Sequence, residues 1–356
     1  KLVIAEKPSV AQSIAAVLGA NQKRNGYLQG ENDLVSWCIG HLIELAPPEI
    51  YDARYAKWRR EDLPIVPSAW ESVVSDGTKK QFAVLKDLLN RTDVDEVVCA
   101  TDAGREGELI FRMVYEKTGC TKPVKRLWIS SLEESAIREG FRSLKPGTAY
   151  DALYRAALCR AQADWLVGIN GTRLYSRLYG TKLNVGRVMT PTLAMVVQRE
   201  KEIAAFQVER FYTVQLSCGF PVQSGRIKTR EEAERIRASC HCKKAAVKQI
   251  ERRQKKEKPP KLYDLTALQR DANRIYGYTA QQTLDYAQTL YEKKLATYPR
   301  TDSRFLTHDL RDRLPALIEC VAQVLPFASG LPLAVHTQQV IRDEKVSDHH
   351  AIIPTQ

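Results

Sequence analysis

The sequence predicts a multidomain fold, α/β in its first part and largely helical afterwards. Three observations carry this. At 356 residues the chain exceeds what one ordinary core accommodates and implies two to four domains. Strand–turn–helix units recur over residues 1–145, and from residue 150 the apolar spacing becomes helical. In order, Leu2, Val3, Ile4 and Ala5 read as a buried strand, and Ser9 with Gln12 as a capping box opening a helix to about Leu18. A second unit pairs a strand at 96–101 with a helix at 107–117. A third pairs a strand at 126–129 with a helix that Ser131 and Glu134 could cap. Such alternation argues for an open α/β domain whose ligands gather at the carboxyl ends of strands, where Glu6 and Asp102 both fall.

Residues 150–206 then read as helix, interrupted by a loop at 180–186, and 211–217 alternate like a half-exposed strand. A helix capped by Thr229 and Glu232 and a strand at 246–250 precede a boundary at Pro259-Pro260. Two further helices, 266–276 and 279–292, are separated by Gly277 at a spacing compatible with a helix-turn-helix. Tyr298 follows in a loop. The domain boundaries expected on this basis are 1–149, 150–210, 211–258 and 259–356, the last segment truncated.

Lys plus Arg number 54 and Asp plus Glu 42, a surplus of +12 that suits a polyanionic partner. Residues 226–258 alone hold 13 of the basic and 5 of the acidic residues, so +8 of the surplus lies in one stretch that a solvated surface or linker explains equally well. The eight cysteines include no CxxC pair, which argues against a zinc ribbon or a redox pair. Cys240, His241 and Cys242 are adjacent, but one tetrahedral ion would need further donors, and free intracellular thiols are the expectation. No signal peptide or membrane-length apolar run is present, which predicts a cytoplasmic protein. The sequence opens without Met and stops at Gln356 without a terminating pattern, which predicts a fragment.

Two segments carry chemistry. Thr101-Asp102-Ala103-Gly104-Arg105-Glu106-Gly107-Glu108 places three carboxylates around a strand-to-helix turn, with glycines that permit close backbone approach. Hard oxygen donors at that density suit Mg²⁺, and Glu6 could complete the group. Acids that cap a helix and offset its dipole explain the same pattern. No GxxxxGK[ST] loop is present, so nucleotide hydrolysis by that route is not indicated. The second segment, Thr297-Tyr298-Pro299-Arg300-Thr301-Asp302-Ser303, follows a helix. Pro299 biases Tyr298 toward extended backbone. A free phenol ionises near pH ~10, so a nucleophilic tyrosine needs cationic neighbours or a proton acceptor. Arg300 can hold a phosphate through two hydrogen bonds. A loop tyrosine packed on the preceding helix is the competing reading.

Taken with Glu6-Lys7-Pro8-Ser9, Gly40-His41-Leu42, Val185-Gly186-Arg187-Val188-Met189-Thr190-Pro191 and His349-His350-Ala351-Ile352-Ile353-Pro354-Thr355, these segments resemble the type IA DNA topoisomerases. Within that family the resemblance is nearest to the bacterial topoisomerase III branch, and it extends over essentially the whole chain in order. It implies an N-terminal Toprim (Rossmann-like) domain followed by the central topoisomerase domains, with an incomplete toroid. It also implies ATP-independent cleavage and rejoining of single-stranded DNA, relaxing or unlinking DNA by strand passage. Tyr298 would take the 5′ phosphate, Glu6 serve as general acid, Lys7 position the scissile phosphate, and Arg300 and His349 touch the same group. Mg²⁺ would be held by Glu6, Asp102 and Glu106. The general Toprim pattern is DxDxE, and its second Asp is Gly104 here, which implies one weakly held ion rather than two.

Trp58 beside Arg59 and Arg60, and Trp165 eight residues before Arg173, offer the aromatic and cationic pairing that binds single strands. Spacing alone favours a core position for Trp165, whereas the resemblance moves Trp58, Trp165 and Arg173 toward DNA. The turn Asn184-Val185-Gly186-Arg187-Val188-Met189 is the better supported contact, with Gly186 allowing close approach and Arg187 meeting phosphate. His41 is open between core and groove. The expected partner is single-stranded or underwound DNA, bound by a nucleoid-associated monomer. A helicase partner is compatible with the sequence but not readable from it. Two other readings remain: a Toprim nuclease or primase, which would not need Tyr298, and a catalytically idle DNA-binding module.

Overall fold

The computed structural model describes residues 1–129, 132, 134–217, 219–244, 246–325, 328, 336–346 and 349–355. It comprises two compact units, one formed by Lys1–Gly186 with Pro260–Gln356 and the other by Arg187–Pro259.

The first unit begins with β1 (Leu2–Ala5), whose four side chains are wholly buried. Alternation along this strand explains the layering. Leu2 and Ile4 join a core with Leu85, Leu89, Leu109 and Phe111, while Val3 and Ala5 join a second core with Val10, Ile14 and Ile137. A strand covered on both faces carries no polar position, hence its continuous apolar run. Each fully buried Leu, Val or Ile stabilises the fold by roughly 1.5–3 kcal/mol.

Helix α1 (Pro8–Leu18) follows, with Lys7 as its extended N-cap, Pro8 in the first turn and Gly19 closing it at φ 74°. Proline suits this place because the N–H it lacks would have no intrahelical partner. The helix thus starts before Ser9, and no side-chain cap forms, which overturns the Ser9–Gln12 capping box.

Strands β2 (Gln22–Arg24), β3 (Tyr27–Gln29) and β4 (Leu34–Trp37) form a meander that returns to β1. The ribbon β5 (Ile43–Leu45) and β6 (Ser72–Val74) pairs separately, with α2 (Pro48–Tyr51) between the two strands. Next come α3 (Lys79–Leu89), β7 (Val97–Ala100), α4 (Arg105–Lys117), β8 (Val124–Arg126), α5 (Glu134–Arg142) and β9 (Lys145–Pro146). The seven-stranded sheet runs β2-β3-β4-β1-β7-β8-β9, parallel from β4 to β8 and antiparallel at both edges. The third strand lies two residues earlier than its apolar run suggested, and Ser131 is outside the described residues. Helix α6 (Asp151–Tyr179) ends at Gly180 in the left-handed conformation (φ 67°).

The second unit holds α7 (Met189–Ala204), the hairpin β10 (Gln215–Ser217) and β11 (Pro221–Gln223), and α8 (Arg230–Cys240). The Thr229 hydroxyl caps α8 by accepting from Glu232 N. Only the last three residues of the expected 211–217 strand pair, apart from a Tyr212–Ile227 bridge. Residues 246–250 form no strand: Val247 and Ile250 are exposed, and no neighbouring strand accepts their backbone bonds among the described residues.

The first unit resumes with α9 (Leu265–Tyr276), capped by Asp264, and α10 (Ala280–Glu292), which opens on a complete Thr279–Gln282 capping box. Gly277 turns the chain between them at φ 71°. Helix α11 (Leu314–Val324) and the short α12 (Thr337–Val340) follow. No helix among the described residues is long and apolar enough to cross a membrane.

Candidate active site

The strand order places a crevice at the ends of β1 and β7. The chain leaves β1 for β4 on one side and later returns to β7 on the other, and at such a reversal the connections diverge. Glu6 directly follows β1 and Asp102 lies two residues beyond β7, so both carboxylates reach the crevice. Asp102 N donates to Glu6 Oε2 at 3.2 Å and joins the two strand ends.

Lys7 is the hub. Its Nζ donates to Tyr298 Oη at 3.0 Å and lies 3.3 Å from Asp102 Oδ2 and 3.5 Å from Glu6 Oε1. It also sits 4.6 Å from the centre of the Tyr298 ring. His349 Nε2 is 3.5 Å from Asp102 Oδ2, and its ring packs against Tyr298 with centroids 4.5 Å apart. Tyr291, from the end of α10, meets Tyr298 edge-on at 5.2 Å. Four of the five proposed catalytic residues, Glu6, Lys7, Tyr298 and His349, thus converge from positions up to 343 apart (349 − 6 = 343).

Backbone clasping holds the tyrosine loop in place. Thr297 N donates to Ile353 O, the Thr297 hydroxyl donates to Ala351 O, and Ile353 N donates back to that hydroxyl. The Thr301 hydroxyl donates to His349 O at 2.7 Å and ties the loop carrying Tyr298 to the segment carrying His349. Pro299 is buried beneath them.

The charges of the site are set by one another. Burial pushes the Glu6 carboxyl above its ordinary range, and the nearby Asp102 carboxylate pushes it further, against the pull of Lys7. Burial also acts upward on Asp102, but hydrogen bonding to His349 and the charge of Lys7 outweigh it and hold that carboxyl down at about 2. For Lys7, burial disfavours the ammonium, and Asp102 and Glu6 together overcome this and raise it above the ordinary lysine range. The result is one carboxyl inclined to keep a proton beside one that stays ionised, with a permanent cation between them.

The acidic turn disperses its carboxylates. Glu108, 1 % exposed, lies 2.6 Å from Arg126 Nε and 3.4 Å from Arg112 Nε. Arg126 is itself buried, and its guanidinium donates to the carbonyls of Cys99, Thr101, Leu127 and Asp102. This pair fixes the backbone from which Asp102 projects. Gly107 is required beneath it, since a Cβ there would fall 2.1 Å from Asp102 O. Glu106 is half exposed and faces Arg160 at 3.2 Å and His41 at 3.8 Å. Toprim domains generally bind Mg²⁺, so the fit matters. Among the described residues no three His, Cys, Asp or Glu side chains gather in a way that could hold a metal. Glu6 and Asp102 share the Lys7 ammonium and Glu106 is engaged elsewhere, so in this arrangement the expected trio does not fit an ion. Gly104 N donates to Asp102 O in extended backbone (φ −162°), a conformation any residue adopts.

The remaining candidates lie outside this cluster. Arg300 is exposed, and among the described residues no ion pair or hydrogen bond ties it to the cluster. Arg173 is buried, donating to Tyr55 O and lying 5.4 Å from the Trp58 ring, whose own face is about one-third exposed. Trp165 donates to Ala46 O and meets Tyr51 and Trp70 edge-on, the packing role the sequence left open. In the 180–186 loop, Val185 packs against Gly171 and its N–H is held by the Thr172 hydroxyl; Asn184 is exposed and Gly186 partly so. Arg187 and Val188 open the second unit, and Met189 begins α7, all three exposed.

Sequence reasoning missed Arg126 and Tyr291. Arg126 could have been found, because an arginine heading the apolar run 126–129 needs an acidic partner if it is buried. Tyr291 had no signal.

Two domain families match the chain: the Toprim domain over residues 1–132 and the DNA topoisomerase family over residues 148–356. DNA topoisomerase 3 of Bacillus cereus (strain ATCC 10987 / NRS 248) is 46 % identical over 369 residues, covering 100 % of this chain and 50 % of the relative. The protein of the same name from Shouchella clausii (strain KSM-K16) is 47 % identical over 372 residues, and that from Bacillus subtilis (strain 168) 45 % over 369, each with 51 % of its length covered. The chain therefore spans about half the length of the curated relatives it matches. Full-length topoisomerase I from Thermotoga maritima shares the fold, with a TM-score of 0.66 at 23 % identity, over 100 % of this chain and 55 % of that one.

Proposed function

The chain belongs to the type IA DNA topoisomerase family, and on that premise we propose that it cuts and rejoins one strand of DNA through a covalent bond at Tyr298. The contact that supports this is Lys7 Nζ to Tyr298 Oη at 3.0 Å, which puts a permanent cation on the phenol oxygen of a loop tyrosine. A hydrogen-bonded ammonium stabilises the phenolate that attack requires.

The proposed step is a transesterification. Tyr298 Oη attacks the scissile phosphorus and forms an O–P bond, and its proton passes to water. The bond from phosphorus to the 3′ oxygen breaks, and Glu6 gives its proton to that leaving oxygen. Burial and the Asp102 carboxylate raise the Glu6 carboxyl above its ordinary range, the direction a general acid needs. Rejoining is the reverse, with Glu6 accepting the proton. One phosphodiester replaces another, so no ATP is consumed. Lys7 holds the phosphate charge, Asp102 keeps Lys7 and His349 in place, and Arg300 would meet the DNA backbone from the exposed side.

No step is assigned to Mg²⁺. A single ion between Glu6 and Asp102 would have to displace the Lys7 ammonium, so we propose at most weak binding there, readable by calorimetric titration. The substrate proposed is single-stranded or underwound DNA, bound by a monomer. Relaxation or unlinking by strand passage, a helicase partner and association with the nucleoid are proposals for the whole protein, since the chain covers half of its relatives.

The test incubates the chain with end-labelled single-stranded DNA and traps with denaturant. We expect a protein–DNA adduct from the wild type and none from Tyr298→Phe. An adduct in both, or in neither, overturns the assignment.

A further inference from the structure

At the end of β8, neighbouring side chains turn to opposite faces of the sheet. Leu127, whose N–H donates to Cys99 O, enters the core with Val10 and Ile14 of α1. Arg126 and Trp128 share the other face, with the guanidinium 5.0 Å from the centre of the indole. Arg126 is buried there, but Trp128 keeps 39 % of its surface exposed. Tyr150, at the start of α6, stacks on Trp128 with ring centres 4.8 Å apart and planes inclined at 16°. An offset pair of this kind leaves part of each ring open. Lys145, opposite Arg126 in the β8–β9 register, adds an exposed ammonium to the same face.

The pair stands close to the reacting groups. β8 is the strand next to β7, on one side of the crevice. The guanidinium beside the indole also donates to Asp102 O at 2.7 Å, and the Asp102 carboxylate faces Lys7 and His349. Trp128 is thus two contacts from the site, and none of the roles assigned there involves it. We propose that Trp128 and Tyr150 form a stacking platform for one unpaired base of the DNA strand, on the β8 side of the crevice. The proposal rests on the strand-cutting reading above. An indole presents a π face comparable with a base, such stacking tolerates any sequence, and Lys145 can meet the backbone phosphate beside it. A base held there would keep its strand in register with Tyr298 through cutting and rejoining. The competing role for the ring is a cover that keeps water from the Arg126–Glu108 pair, and that role would serve a strand with or without bases alike.

The probes are a short oligothymidylate and an abasic strand of the same length and charge, each followed by fluorescence anisotropy on the Tyr298→Phe chain, which cannot form the adduct. Trp128→Leu, made in that chain, keeps an apolar cover over Arg126 and has no π face. It is expected to weaken oligothymidylate binding about 10-fold, the size of one base-stacking contact, and to leave the abasic strand unchanged. Trp128→Phe, which restores a ring, should recover most of the loss. Unchanged oligothymidylate binding in Trp128→Leu overturns the proposal, and so does an equal loss on both strands. Should Trp128→Leu fail to fold, Trp128→Phe carries the test through tryptophan emission. Trp128 is one of five tryptophans, and a base stacked on it quenches its emission, so oligothymidylate should quench less in Trp128→Phe than in its parent. Equal quenching in the two overturns the proposal. The denaturant-trapped adduct is scored separately on the wild type. A Tyr298-dependent adduct together with equal losses on the two strands rejects the platform alone. An adduct that persists in Tyr298→Phe rejects the catalytic assignment, and the difference between the strands still decides the platform.

Discussion

The acidic turn at 101–108 and the tyrosine loop at 297–303 behave in opposite ways. The turn concentrates three carboxylates in seven residues, and the fold sends them apart: Asp102 to Lys7 and His349, Glu106 to Arg160, Glu108 into the core against Arg126. The loop carries one phenol and one guanidinium beside Asp302 and three hydroxyls, and the fold brings its tyrosine a lysine from residue 7 and a histidine from residue 349. Density of functional groups along the chain is therefore a poor guide to density in space. A helix separates neighbours in sequence by direction, whereas a crevice where strands diverge collects side chains from distant segments.

The comparison breaks most visibly at its buried end. Arg126→Ala leaves Glu108 buried against Arg112 alone and removes the hydrogen bonds to four carbonyls, so a stability loss on the order of 3–5 kcal/mol is expected in urea denaturation. The double variant Arg126→Met/Glu108→Leu should recover most of it, because it removes both charges. If the single variant is as stable as wild type, the pair does not hold the turn. Next in size is Lys7→Met. Loss of one preorganised cation at the reacting phosphate should slow adduct formation about 100- to 1,000-fold without comparable loss of stability, as read by quenched time courses.

Much of the first unit was legible because its signals are local. Leu2–Ala5 is apolar at every position and became a strand buried on both faces, and the helix expected over 279–292 became α10. Where a local signal competed with a stronger one it failed: Pro8 claims the helix start that Ser9 and Gln12 seemed to mark. Residues 246–250 failed differently, since β-propensity without a partner strand gives no strand. In the site, the positions of Glu6 and Asp102 at strand ends were readable from the α/β grammar. Their link to Tyr298 through Lys7 was not, because nothing in the 290 residues between Lys7 and Tyr298 encodes that distance locally. The family resemblance supplied the company of Tyr298, and the fold supplies the distances.

The two regions meet in the coupling between Glu6 and Asp102, which pH can resolve. In the proposed acid role Glu6 works only while protonated, so cleavage should fall as pH rises through its raised value. Burial is the larger cause of that elevation and Asp102 the second. Asp102→Asn removes the second cause, so the descending limb of the rate profile should move to lower pH without returning to that of an exposed carboxyl. A limb that stays put would separate Glu6 from the acid role. Stability responds with the opposite sign at Asp102. Its carboxyl is depressed to about 2, so its contribution is complete above the ordinary carboxylate range and disappears as pH falls toward 2. Asp102→Asn should flatten that acid-side loss in a denaturation series.

The smallest effect is expected at Glu106, where motif and geometry disagree most. The acidic pattern makes it a ligand, but its carboxylate is about half exposed, turned to Arg160 and to His41. An exposed pair of this kind contributes ~0–1 kcal/mol, and its loss leaves no buried charge behind. Glu106→Gln should therefore change adduct formation less than about 5-fold, the rate equivalent of ~1 kcal/mol, in the same quenched assay that shows the Lys7 effect. A drop comparable with Lys7→Met, restored by raising Mg²⁺, would mean that Glu106 leaves Arg160 and turns inward when DNA and an ion are present. The dispersal of the acidic turn would then be one state of the site, and the contrast with the tyrosine loop would hold only in the absence of substrate.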